Sequence, residues 1–217
     1  MTQLAHLLQT YCTLPNIQTI IQTDILPSSS LLNALAARSY FHGNGFLKIV
    51  LLEHRCYKLR LHIWFPNAIC EENIHNHCWH FASHILYGAL KTELWQDVKH
   101  DTPCPHAVQM FDEYRYLAKT PNSPPTIKNL GQTQLFKQQD ITHHAGESYT
   151  MPCNQLHRIN KTSGNMVATI MCTVPVRKHN RLFPNGKSPE IVPTYLSAPE
   201  LALYLQRFLS HVHTHHA

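Results

Sequence analysis

Apolar and polar positions alternate with a period of two through the middle of the chain and with a helical period at its two ends. Over the first 40 residues the spacing is helical, and Ser28-Ser29-Ser30 offers a cap for a helix carrying Leu31, Leu32, Leu35 and Ala36. After Gly43-Asn44-Gly45 the period changes. Phe46–Leu52 and Tyr57–Phe65 read as two strands joined by Glu53-His54-Arg55-Cys56. Further strand-like runs fall at Ser83–Tyr87, Ala89–Gln96, Val108–Leu117, Thr133–Ile141, Ser148–Met151 and Met166–Val174. Residues 101–106 and the proline-bearing stretch 119–125 read as loops. Near the end, Ser197-Ala198-Pro199-Glu200 is a capping box with Pro in the first turn, followed by an apolar stripe of Leu201, Leu205, Phe208 and Leu209. Short strands in series predict a sandwich or small barrel. The expected layout is a helical segment over 1–42, a β domain over 43–180 and an extension with a helix over 181–217.

Composition narrows the class. A chain of 217 residues has room for one domain or two small ones and can bury a sizeable core. Only 14% of residues are charged, against about 25% in an average domain, which argues against disorder. No apolar run approaches the roughly 20 residues of a membrane span, and Met1–His6 lacks the start of a secretion signal. The formal charge is +5, but the basic residues (Lys48, Arg60, Arg158 and Arg181 among them) are scattered rather than striped, so nucleic acid is not an expected partner. Seven cysteines, an odd number without a C-x-x-C pair, read as reduced thiols of a cytoplasmic protein, monomeric or homodimeric.

Histidine is the unusual component. There are 18, more than the 13 acidic residues, and imidazole is the commonest metal ligand. The tail His211-Val212-His213-Thr214-His215-His216 reads as a frayed end. The informative segment is His75-Asn76-His77, because residues two apart on a strand face one side and can share an ion. A third ligand has to come from elsewhere, and His157 is the best candidate. The strand Leu59–Trp64 puts Arg60, His62 and Trp64 on one face and Leu59, Leu61 and Ile63 on the other. Either the polar face lines a cavity, where Arg60 can clamp a carboxylate, or it meets solvent above an aliphatic core. Trp64, Trp95 and Tyr149 can wall such a cavity or pack as core.

Two segments resemble the paired motifs of the cupin superfamily. His75, His77 and Gly88 fall at the first motif's spacing, with Phe81 where that motif has Glu. Gly146, Pro152 and His157 fall at the second's, with Asn154 in place of its inner Gly. Asn tolerates the left-handed backbone that Gly supplies. The resemblance implies an all-β, cupin-like double-stranded β-helix, a jelly-roll barrel with flanking helices, and a metal on His75, His77 and His157. Without the Glu, the site resembles the three-histidine cysteine dioxygenase branch, which Leu156-His157-Arg158-Ile159-Asn160 and Gly88-Ala89-Leu90-Lys91-Thr92-Glu93 also resemble. That branch has a His and a Tyr where this chain has Met171 and Thr173, and its crosslinking cysteine would fall near Phe81.

The resemblance implies iron(II) as cofactor, with Zn, Ni, Mn or Cu also compatible with imidazole ligands. The expected activity is a non-haem iron dioxygenase using O2 on a small polar or anionic metabolite such as an amino acid, carboxylate or thiol. Arg60, His62, Ser83 and Tyr149 are the expected substrate contacts. Strand parity puts Ser83 inside and His80 and His84 outside. Two other functions stay open: a cupin isomerase or epimerase, and a non-catalytic ligand- or metal-binding cupin.

Overall fold

The computed structural model describes the chain apart from residues 71, 99–106, 118–125, 162–163, 177–178, 185–192 and 215–217. The loops expected at 101–106 and 119–125 therefore lie outside the described residues. The chain opens with α1 (Thr2–Tyr11) and α2 (Leu14–Ile20), which continues into a π-helical turn over Ile21–Ile25, and then α3 (Ser29–Ala36). Ser28 caps α3 by accepting the Leu31 N–H at 3.2 Å. At the other end is α4 (Ala198–Thr214). Its capping box is formed: Glu200 N–H donates to Ser197 Oγ and Ser197 N–H donates to Glu200 Oε2 at 2.8 Å. The helix runs on through His211 and His213, so this part of the tail is not frayed. The His211 ring meets Tyr87 edge-on at 5.7 Å.

Among the described residues, thirteen strands lie between the helices. They are β1 (Tyr40–His42), β2 (Phe46–His54), β3 (Tyr57–Trp64), β4 (Ile74–His75), β5 (Trp79–Tyr87), β6 (Ala89–Asp97), β7 (Val108–Leu117), β8 (Thr126–His144), β9 (Ser148–Met151), β10 (Leu156–Lys161), β11 (Val167–Pro175), β12 (His179–Phe183) and β13 (Thr194–Tyr195). They build two antiparallel sheets, an all-β jelly-roll architecture. The first runs β13-β1-β2-β3-β11-β5-β9; the second runs β10-β4-β12-β7-β8-β6 and closes on itself through β6 and β10. Pairing of β1 with β13 draws Tyr40 and Tyr195 into the sheet, beyond the expected limits 43–180 at both ends.

Alternation along the first sheet decides what each face does. Leu47 and Ile49 of β2, Leu61 and Ile63 of β3, and Ala168 and Ile170 of β11 are fully buried and pack with Ile17, Leu35, Leu201 and Phe208 of the helical layer. Each large aliphatic side chain so covered stabilises the fold by roughly 1.5–3 kcal/mol. The intervening residues, Lys48, Arg60, His62, Trp64, Thr169 and Met171, face the interior between the sheets and line one cavity. Gly88 makes the β5–β6 turn at φ +76, and a Cβ there would sit 2.5 Å from the Met166 carbonyl oxygen. Only glycine fits both demands.

Candidate metal centre and cavity

Three histidines converge at one end of this cavity. His75 ends β4 and His157 lies on β10 directly opposite it. His77 lies past the end of β4, so the expectation of one strand carrying both His75 and His77 is corrected. A break after His75, with the His77 N–H bonded to the Cys153 carbonyl, brings the two rings together instead. Ring centroids are 4.6 Å apart for His75 and His77, 4.8 Å for His75 and His157, and 4.9 Å for His77 and His157. One nitrogen from each lies within 4.8 Å of the others.

The donor chemistry suits a divalent metal. His75 Nδ1–H donates to the Asn73 carbonyl at 2.8 Å and His157 Nδ1–H to the Gln155 carbonyl at 3.1 Å. Such bonds fix the tautomer and leave Nε2 with its lone pair for an ion. Burial, reinforced by His75, pushes the His157 imidazole down to about 3, and burial likewise holds His77 well below its ordinary value. Neutral imidazoles are what metal ligation requires. Among the described residues these three are the group of histidine, cysteine and acidic side chains placed to hold an ion.

The sequence partners of the triad act as its supports. Phe81 is 1% exposed, with its ring 5.4 Å from His77 and 6.0 Å from His157, so an apolar wall stands where an acidic ligand was absent from the motif. Glu93 on β6 accepts from Arg158 at 2.6 Å and from the Trp95 indole at 3.2 Å, bracing β10 beside His157. Asn154 does not take up the left-handed backbone expected of it; among the described non-glycine residues Asn67 alone has positive φ. The turn there closes through the Gln155 N–H and the Pro152 carbonyl.

The cavity has a volume of about 470 Å³. Arg60 and His62 are 7% and 5% exposed and line it. The Arg60 guanidinium lies 4.8 Å over the Trp79 ring, its Nε without a partner among the described residues. His62 Nε2 is likewise unpartnered, its ring 4.7 Å from Phe46. Tyr149 and Trp64 line the same wall; burial raises the Tyr149 hydroxyl to about 12. Ser83 is inward-facing and fully buried, but it lies across from Tyr149 in the sheet and is not part of the wall, which corrects its expected substrate contact. Trp95 also lies off the wall, packed with Ile74, Leu135, Leu156 and Phe183. His80 Nδ1 accepts the Cys153 N–H at 3.0 Å and His84 Nδ1 sits 2.9 Å from Ser148 Oγ; neither joins the triad.

Lys48, Glu72, His42 and Trp79 also line the cavity. Sequence reasoning counted Lys48 as one of many scattered cations. Its signal was parity: it alternates with Leu47 and Ile49, so it shares the face of Phe46. Lys48 Nζ donates to Tyr40 Oη at 2.7 Å. Glu72 spends one oxygen on Asn44 Nδ2 at 2.8 Å and the other on the Ile159 N–H.

Comparison with known proteins finds distant structural likeness. No family model and no curated protein matches the chain. Among solved structures, it is similar to the DMSP lyases RdDddP and RnDddQII at 12% identity, covering 60% of this chain and 48% of that one, with a TM-score of 0.36. This chain thus spans about half the length of that structure. It is also similar to hydroquinone 1,2-dioxygenase from Sphingomonas sp. TTNP3 (9% identity, 58% and 64% covered, TM-score 0.34). A cupin superfamily protein from Desulfitobacterium hafniense DCB-2 matches at 11% identity over 70% of this chain and 97% of that one, TM-score 0.33. Among the described residues, no helix is long and apolar enough to cross a membrane, and the described cysteines are free thiols.

Proposed function

We infer that the protein is a metal-dependent cupin oxygenase, a non-haem iron(II) dioxygenase of a small anionic metabolite. The observation that carries this reading is the convergence of three imidazoles, two of them with Nδ1 tied to a backbone carbonyl, on a cavity that also holds a buried arginine whose Nε has no partner among the described residues. His75, His77 and His157 would hold the ion, which when bound supplies open coordination positions for substrate and dioxygen and a redox electron. The chain's own part is positional. Arg60, held over the Trp79 ring, presents its guanidinium to a substrate anion, because a buried guanidinium without a counter-charge is costly. His62 offers Nε2 to a polar substrate atom. Tyr149 stays protonated and can donate from the same wall. Phe81 excludes water beside His77 and His157, and Phe46 and Trp64 do so around His62.

Within the three-histidine branch, thiol oxidation is disfavoured. Met171 lines the wall and Thr173 is 2% exposed, so neither offers the acid–base group found at those positions in the branch this chain resembles. The test is anaerobic metal analysis of the purified protein, then oxygen uptake against amino acids, carboxylates, thiols and phosphorylated metabolites. Iron near one per chain with substrate-dependent oxygen uptake supports the reading. Turnover without oxygen consumption would move it to the isomerase class, and metal binding without any turnover to the binding cupins.

A further inference from the structure

The cavity wall carries a second cation beside Arg60, and together they specify more charge than one carboxylate brings. Lys48 on β2 stands directly opposite His62 on β3, and Arg60 is two residues along β3 on the same face. Such diagonal neighbours across antiparallel strands lie roughly 7–8 Å apart at the backbone, within reach for long side chains. Both head groups therefore address one region of the cavity. Among the described residues neither forms a salt bridge: Glu53 is taken by Lys58, Glu93 by Arg158, and Asp97 and Glu113 by Arg181. Glu72, the acidic residue of the wall, has both oxygens occupied by Asn44 and Ile159.

Hydroxyls complete the set. Tyr40 Oη accepts from Lys48 and keeps its own proton to donate; Tyr116 and Tyr195 line the same cavity, Tyr195 with its ring 5.4 Å from Tyr40. A carboxylate has two oxygens, which the arginine fork alone satisfies. Its single negative charge would still leave one of the two cations, Arg60 and Lys48, without a counter-charge. A tetrahedral dianion has three terminal oxygens and two charges, one oxygen for each of the Arg60 fork, the Lys48 ammonium and the Tyr40 hydroxyl. We propose that Arg60, Lys48 and Tyr40 form an oxyanion subsite for a phosphate monoester or phosphonate group, whose molecule reaches from there toward the histidine triad. This rests on the oxygenase reading only for what happens at the triad. Burial, with the neighbouring Arg60, depresses the Lys48 ammonium, and an anion bound beside it would oppose that shift.

Methylphosphonate is the probe, doubly ionised, titrated calorimetrically into the full chain both metal-loaded and after chelation. Methanesulfonate tests tetrahedral shape with a single charge, and acetate tests a plain carboxylate. Methylphosphonate is expected to bind at least tenfold more tightly than either, to keep that affinity after chelation, and to lose tenfold or more in Lys48→Met and in Arg60→Met. Lys48→Met keeps the side-chain length and removes a buried charge. Tyr40→Phe, which keeps the ring, is the second variant and is expected to weaken binding several-fold. Acetate binding as tightly as the phosphonate, no phosphonate binding, loss of binding on chelation, or unchanged affinity in the folded Lys48 and Tyr40 variants would each overturn the proposal. Absent iron or oxygen uptake would sink the oxygenase reading and leave these affinities as they are.

Discussion

Replacing Phe81 by alanine tests whether the apolar wall behind the triad positions the ligands. The ring is 1% exposed and packs within 6.0 Å of His77, His157 and Tyr149, measured between centroids. Truncating a buried Phe to Ala costs ~3–5 kcal/mol, the transfer and the cavity together. For a chain of 217 residues that corresponds to a fall in Tm of roughly 6–20 °C. The assay is thermal unfolding with a chelator present, so that metal linkage is absent, repeated with a divalent metal in excess. Phe81→Glu extends the experiment. With chelator it should be at least as unstable as Phe81→Ala, because a carboxylate is buried without a partner. With metal the order should invert, since a carboxylate beside three imidazoles gives the ion a fourth ligand, the first anionic one, and binding to the native state alone raises stability. A loss below about 1 kcal/mol in Phe81→Ala would refute the packing argument. A Phe81→Glu variant that gains no more from metal than Phe81→Ala would refute the placement of that side chain at the metal.

Three further outcomes follow from the geometry. His77→Ala or His157→Ala should strip the metal, read by elemental analysis, whereas His80→Ala and His84→Ala should retain it. Arg60→Ala should leave metal content intact and raise the substrate's KM, with Arg60→Lys recovering part of the loss because an ammonium lacks the planar fork; unchanged affinity would end the anchoring role. The Arg181 and Thr133 hydrogen bonds hold the Glu113 carboxyl below its ordinary 4.5 despite the opposing effect of burial. A depressed folded value means the stabilisation is full above 4.5 and is lost as the pH falls through the folded value. Glu113→Gln should flatten the acid limb of a plot of Tm against pH, and an unchanged limb would assign that loss to other carboxylates.

The two-sheet fold was legible wherever one face of a strand was strongly apolar. β3 shows clean alternation because Leu59, Leu61 and Ile63 meet the helical layer while Arg60, His62 and Trp64 face the cavity. β10 escaped notice because its Leu156-His157-Arg158-Ile159-Asn160-Lys161 pattern spends an inward position on a ligand. β4 and β13 are two residues each, too short for any periodic signal. β8 runs from Thr126, ahead of the expected Thr133, because much of its first half is exposed and polar. The triad was legible from motif spacing although the strand argument offered for His77 was not the operative one. Ser83 shows the limit of parity, which gives the side of a sheet but not whether a larger neighbour such as Tyr149 stands between a residue and the cavity.

The second sheet is a ring with a weak link. It closes through β4, whose His75 pairs with His157 on one side and Leu182 on the other. A seam of so few backbone bonds opens at lower free energy than the long β6–β8 and β7–β8 ladders. The candidate ligands lie on both lips of that seam. An ion held there is a clasp, and its departure would unlatch the barrel wall locally rather than melt the molecule. Amide exchange along β4 and β10 would then run on metal occupancy, while β3 and β11, pinned between helices and cavity, would keep time with global unfolding.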